Sequence, residues 1–215
     1  PDAEPLCVET LKSMQRVFGP RHPDTCTAMN NLALVYQAQG RYADAEPVFL
    51  TTLQIQREDL GKDDVGTLTT QNNLALLYQA QGRYAEAQPL FVHSLENYRR
   101  LLPEDHPWTL GTRSNLAWLL ADRNDLSGAE EQLRAVVDVV RRSAGDHSPR
   151  LARSLRELHE LLVRQNDLPG AVEALREAAQ IYEADDAGSR DAAFTLHHLA
   201  DLLRQQHEYA AAEDY

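Results

Sequence analysis

The side chains best suited to chemistry are scattered along this chain, and their spacing argues against catalysis. His159-Glu160-Leu161-Leu162-Val163 approaches the HExxH arrangement, in which two histidines one helical turn apart hold zinc and the glutamate acts as base. Val163 stands where the second histidine is required, so no metal is expected there. His197 and His198 are adjacent, and adjacent residues on a helix point in different directions, so joint chelation is not expected. Cys7 and Cys26 are too few for a disulfide framework and read as small buried hydrophobes. The acid pairs Asp63-Asp64 and Glu130-Glu131 read as solvated charges. There is no glycine-rich phosphate loop, and no nucleophile sits at readable spacing from a base and an orienting group. The expectation is a segment with no catalytic residue, no metal and no cofactor.

The composition restricts the partners. The 215 residues carry 21 Lys+Arg against 33 Asp+Glu, a net charge of −12. A phosphate backbone requires a basic face, so nucleic acid is not expected as a partner. No apolar run is long enough to span a bilayer, and the first ten residues have no basic signal-peptide region, so neither membrane nor secretion is expected. The expected setting is cytoplasmic. Hydrophobic residues at 43% and charged residues at 25% are ordinary globular usage, which excludes wholesale disorder. Lys12 and Lys62 are the two lysines beside 19 arginines, a bias typical of GC-rich, often bacterial, coding sequences.

What must position any functional group is an internal repeat. Asn30 to Phe49 reads NNLALVYQAQGRYADAEPVF, Asn72 to Phe91 reads NNLALLYQAQGRYAEAQPLF, and 16 of the 20 positions are identical at an offset of 42. The offset recurs at Asn115-Leu116 and Glu157-Leu158, and shortens to 41 at His198-Leu199. Ala45, Ala87, Ala129, Ala171 and Ala212 follow the same steps. A fixed period of this size means stacked supersecondary units, none of which buries its apolar faces alone.

Each unit reads as two helices. Thr25 to Gln39 carries the apolar stripe Ala28, Leu32, Val35 and Tyr36, and Gly40-Arg41 supplies the stop. The second helix, about Tyr42 to Leu60, carries Ala45, Phe49, Thr52 and Leu53. Asp24 or Thr25 is the expected N-cap of the first helix. Pro47 and Pro89 lie inside the second helix, which is expected to start late or bend there. Asn124 replaces the stop glycine in the third unit and must take a left-handed conformation. No segment alternates with period two, so no strand is expected.

The pattern Leu-Ala-x-x-Tyr-x-x-x-Gly-x-Tyr-x-x-Ala-x-x-x-Phe resembles the tetratricopeptide repeat, and the unit with its LG and HPDT segments is similar to the 42-residue subtype of kinesin light chains and many bacterial proteins. The resemblance implies an all-α, right-handed α-solenoid of antiparallel helix pairs, read here as a single array over 1–215. Residues 1–21 are the second helix of a preceding repeat. The repeats are 22–63, 64–105, 106–147, 148–189 and 190–215, the last truncated. The sequence therefore reads as a fragment of a longer array.

The resemblance also implies that the first helices line a peptide groove. Its candidate positions are Thr27, Asn30, Asn31, Leu34, Gln37 and Ala38, then Thr69, Asn72, Asn73, Leu76, Gln79 and Ala80. The third unit gives Gly111, Ser114, Asn115, Trp118 and Ala121. The fourth gives Arg153, Arg156, Glu157, Glu160 and Arg164, and the fifth His197, His198, Asp201 and Arg204. Asparagine amides at Asn31, Asn73 and Asn115 offer a donor and an acceptor that match a peptide backbone, or else bond between helices to hold the repeat spacing. Trp118 reads as an aromatic anchor or as core. Arg153, Arg156 and Arg164 read as a site for an acidic group, or as partners of Glu157 and Glu160 along the helix.

The expected function is non-catalytic recognition of a protein or peptide segment, as adaptor or sensor part of a larger protein. One alternative is a rigid scaffold that self-associates through uncapped ends. The other is the regulatory array of an enzyme or signalling NTPase whose catalytic domain lies outside this sequence.

Overall fold

The computed structural model describes residues 3–185 and 190–205, all of its regular structure being helical. The chain divides into two compact units, residues 1–103 and 104–215. The first holds α1 (Ala3–Phe18), α2 (Pro23–Ala38), α3 (Tyr42–Asp59), α4 (Val65–Ala80) and α5 (Tyr84–Leu101). The second holds α6 (Pro107–Asp122), α7 (Leu126–Ala144), α8 (Pro149–Arg164), α9 (Leu168–Asp185) and α10 (Arg190–Gln205). Within each unit every helix packs on the next in sequence, and α2 also touches α4.

Small residues allow the close crossings. Ala33, Ala75 and Ala117 in the first helices and Ala45, Ala87, Ala129 and Ala171 in the second helices are all 0% exposed. A larger side chain at these points would push the helix axes apart. Phe49 and Phe91 fill the space beyond and are fully buried. In the fourth repeat the first-helix alanine position is taken by His159, buried at 4% exposure.

The helix starts differ from expectation. The N-cap falls not on Asp24 or Thr25 but two residues before Asp24, on His22, and the same repeat position serves at Asp64, His106 and Ser148. Each side chain accepts a hydrogen bond from a backbone N–H of the first turn. In three of the four the cause is proline. Pro23, Pro107 and Pro149 occupy the first helical turn, where their fixed φ suits the helix and the missing N–H costs nothing. Only α4 among these four begins without one, at Val65.

Pro47 and Pro89 do not delay the second helices, which begin at Tyr42 and Tyr84. Each lies in the second turn, so its ring costs the helix a single N–H near its start. The turns between paired helices repeat one geometry. Gly40 N–H donates to the Gln37 carbonyl and Arg41 N–H to that of Tyr36, both at 2.9 Å. Asn124 and Asn166 take over the glycine's role with φ of 65° and 63°. The residue after the turn then changes job. Arg83 in the first unit bonds Glu46 of the preceding repeat at 2.8 Å, bonds Glu86 at 2.7 Å and stacks over Tyr78. Its counterparts Asp125 and Asp167 instead cap the next helix, accepting from the N–H groups of Gly128 and Gly170.

Candidate functional site

In the second unit the spacing of α6 and α8 brings residues of one helix face together. Gly111, Ser114 and Asn115 on α6 meet Arg150, Arg153, Ser154 and Glu157 on α8 around a cavity of about 540 Å³. Leu110, Val136, Val140 and Tyr182 form its apolar wall, and Asp191 at the start of α10 also lines it.

The cavity exists because two repeat positions shrink together. In the first unit the hydroxyl of fully buried Tyr98 meets Thr69 Oγ1 at 3.0 Å, filling the space between α4 and α5. One repeat later these positions are Val140 and Gly111. The phenol ring and the threonine side chain are both gone, and a Cβ added at Gly111 would meet no atom within 4 Å. The first-helix register selects Gly111 but misses Val140, Val136, Leu110, Tyr182 and Asp191. The joint change of Thr69 and Tyr98 to Gly111 and Val140 is the signal that points to the space they share.

Glu157 is the electrostatic centre of the cavity. It stands at the repeat position held by Asn31, Asn73 and Asn115, so the fourth rung is an acceptor-only carboxylate. Ser114 Oγ donates to Glu157 Oε2 at 2.8 Å. Burial pushes the Glu157 carboxyl above its ordinary value, against the lowering effects of the Ser114 hydrogen bond and the nearby arginines. The expected pairing of Glu157 with Arg153 and Arg156 does not form among the described residues. Arg156 instead donates to Asp191 at 2.9 Å and stacks on the Phe194 ring. Arg150 donates to the Asp105 carbonyl at 3.0 Å, and Arg153 is exposed at the rim.

The other candidate positions lie elsewhere. Arg164 donates to the Ala121 carbonyl at 2.7 Å and pairs with Asp122. Ala121, expected in the groove, is fully buried because it packs in the core of the second unit. Trp118 is half-buried and packs against that core. Glu160, His198 and Asp201 line a smaller hollow of about 330 Å³ with His159, Val163 and Leu202. His197 is exposed and lies 3.4 Å from Asp201. The His159 and His198 rings lie edge to face at 5.9 Å, and no group of three metal-ligating side chains occurs among the described residues.

In the first unit Asn31 and Leu34 are exposed, while Asn72, Asn73, Leu76 and Gln79 on α4 are all half-buried. The Thr27 and Thr69 hydroxyls bond back to the carbonyls of Pro23 and Val65. The side-chain oxygens of Asn30 and Gln37 are buried with no hydrogen-bond partner. Cys7 and Cys26 are free thiols.

The tetratricopeptide-repeat model matches residues 1–58, 24–100 and 66–142, about two thirds of the chain. The chain belongs to the tetratricopeptide-repeat family. Solved structures repeat the fold of this array. BtubC (BKLC) from P. vanneervenii is 20% identical, with a TM-score of 0.82 over 99% of this chain and 86% of that one. A Podosopora anserina protein of kinesin-light-chain type with nearly identical TPR-like repeats is 24% identical, with a TM-score of 0.77 over 90% and 92%. PilF of Pseudomonas aeruginosa is 17% identical, with a TM-score of 0.64 over 90% and 74%. A search of curated proteins finds no match. The tetratricopeptide array is a protein-interaction module, and none of its described helices is long and apolar enough to cross a membrane.

Proposed function

We propose that the array holds a peptide segment of a partner protein, seated on the α6–α8 face with side chains entering the Gly111–Val140 cavity. The observation that carries this reading is the cavity itself. It joins an apolar wall to a few convergent polar groups, the usual composition of a recognition pocket. The Asn115 amide at its edge offers both a donor and an acceptor to a passing main chain. Asn31 and Asn73 repeat that offer in the first unit. The array works by binding, as one part of a larger assembly, and carries out no chemistry.

The test is selection from a peptide display library with two controls. Gly111→Thr combined with Val140→Tyr restores the pair that the first unit already folds around, and so fills the cavity without a foreign packing arrangement. The second control is Asn31→Ala, Asn73→Ala and Asn115→Ala together, with helicity and melting checked for both. Enrichment of a shared motif that the filled variant loses at least tenfold supports the reading. Enrichment indifferent to cavity filling refutes the site, and no enrichment at all moves the function toward a structural scaffold.

A further inference from the structure

The repeat places asparagine, asparagine, asparagine and then glutamate at one register, and the change falls where the cavity opens. Glu157 is a carboxylate largely withdrawn from water, and it accepts a hydrogen bond from Ser114. No ion pair to it forms among the described residues. None of the arginines on its own helix pairs with it: Arg156 pairs with Asp191 through Nη1 while its Nε stays without a partner, Arg150 bonds the Asp105 carbonyl, Arg164 bonds the Ala121 carbonyl and Asp122, and Arg153 is in solvent. A partly desolvated carboxylate with cations nearby but no direct ion pair is costly, and a cation brought by a ligand recovers part of that cost. Leading to Glu157 is an apolar wall that suits the methylene stem of a long basic side chain.

We infer that the bound segment inserts a lysine or arginine side chain into this cavity, its stem along Leu110 and Val140 and its charged head on the Glu157 carboxylate. The inference rests on the peptide reading above and adds the chemical class of the ligand. The net charge of −12 draws basic segments toward the array from a distance. Arg153 at the rim does not reverse the preference, because an exposed arginine pairs weakly while the half-buried Glu157 carboxylate stands beside the apolar wall. A bare divalent ion is a poor occupant, since it wants several oxygen ligands and no group of three ligating side chains stands among the described residues.

The experiment uses the full chain and alanine-based decapeptides with two degenerate apolar positions flanking one fixed residue: lysine, arginine, norleucine, glutamine or glutamate. Binding is measured by fluorescence polarisation against the chain, Glu157→Gln and Glu157→Lys. Glu157→Gln keeps an oxygen acceptor for Ser114, and circular dichroism confirms its fold. The expected result is at least tenfold tighter binding of lysine and arginine peptides than of norleucine or glutamate ones. Glu157→Gln should erase that preference and Glu157→Lys should turn it toward glutamate. Peptides that bind with no preference, or with a glutamate preference in the unaltered chain, overturn this inference while leaving the peptide reading standing. If no peptide binds, the peptide reading fails and this inference with it.

Discussion

Asp64 carries more of its helix start than Ser148 does at the equivalent repeat position. Its Oδ1 accepts from Gly66 N–H at 2.8 Å and from Thr67 N–H at 3.3 Å, whereas Ser148 Oγ accepts once, at 3.2 Å from Arg150. Ser148 is also backed by Pro149, while α4 begins with Val65 and has no proline to fix its first turn. Replacing Asp64 with alanine removes the cap, worth about 1 kcal/mol. It also removes a negative charge from the helix N-terminus, worth roughly 0.5 kcal/mol. The expected loss for Asp64→Ala is therefore about 1.5 kcal/mol, against about 0.5 kcal/mol for Ser148→Ala at the low end of the capping range. Asp64→Asn keeps the acceptor and should lose only the charge contribution of about 0.5 kcal/mol. Urea unfolding followed by circular dichroism gives the totals. Hydrogen exchange at the Gly66 and Thr67 amides gives a local readout that should accelerate only in the alanine variant. Equal losses for Asp64→Ala and Ser148→Ala, or unchanged exchange at those amides, would refute the division of labour between cap and proline.

Other consequences follow from the same geometry. Gly40 has φ of 74° with open space where a Cβ would stand, so Gly40→Ala should cost about 1 kcal/mol from backbone strain alone. Asn124→Gly should change urea stability by less than about 0.5 kcal/mol, because either residue suits that conformation. Phe91 is fully buried, and Phe91→Ala should cost about 3–5 kcal/mol in the same assay. Burial holds the His159 imidazole below its ordinary value, the neighbouring His198 and Arg156 act in the same direction, and the Arg156 carbonyl opposes them. The unfolded chain then binds a proton that the folded chain resists, so stability should fall as pH drops below about 6.5. His159→Gln should flatten that part of the stability profile.

The helix pairs were legible because a 42-residue offset multiplies every weak local signal. The positive φ of Asn124 followed from its alignment with Gly40 and Gly82. The first-helix N-cap lies outside what local preference shows, because Asp24 and Thr25 are good capping residues in isolation and Pro23 overrides them by starting the helix first. For the site, helix register selected Gly111, Ser114, Asn115, Arg153 and Glu157 from the first helices. It could not supply Val136, Val140 and Tyr182, which reach the cavity from the second helices through space that Thr69 and Tyr98 fill one repeat earlier. That depth depends on two truncations in different helices meeting in three dimensions. The pairing of Arg156 with Asp191 was equally hidden, since its partner lies 35 residues away on another helix.

The central claim is that a partner segment enters the cavity between α6 and α8. Methyl-resolved NMR of the isotopically labelled chain, titrated with a peptide from the display selection, tests it most directly. The account predicts saturable shifts at the methyls of Leu110, Val136 and Val140, which line the cavity, and none at Val137, Leu158 and Leu162, which line a separate crevice between α7 and α9. The Gly111→Thr, Val140→Tyr variant should abolish the shifts at Leu110 and Val136. Saturable shifts confined to Val137, Leu158 and Leu162, with Leu110 and Val136 unmoved, would contradict it.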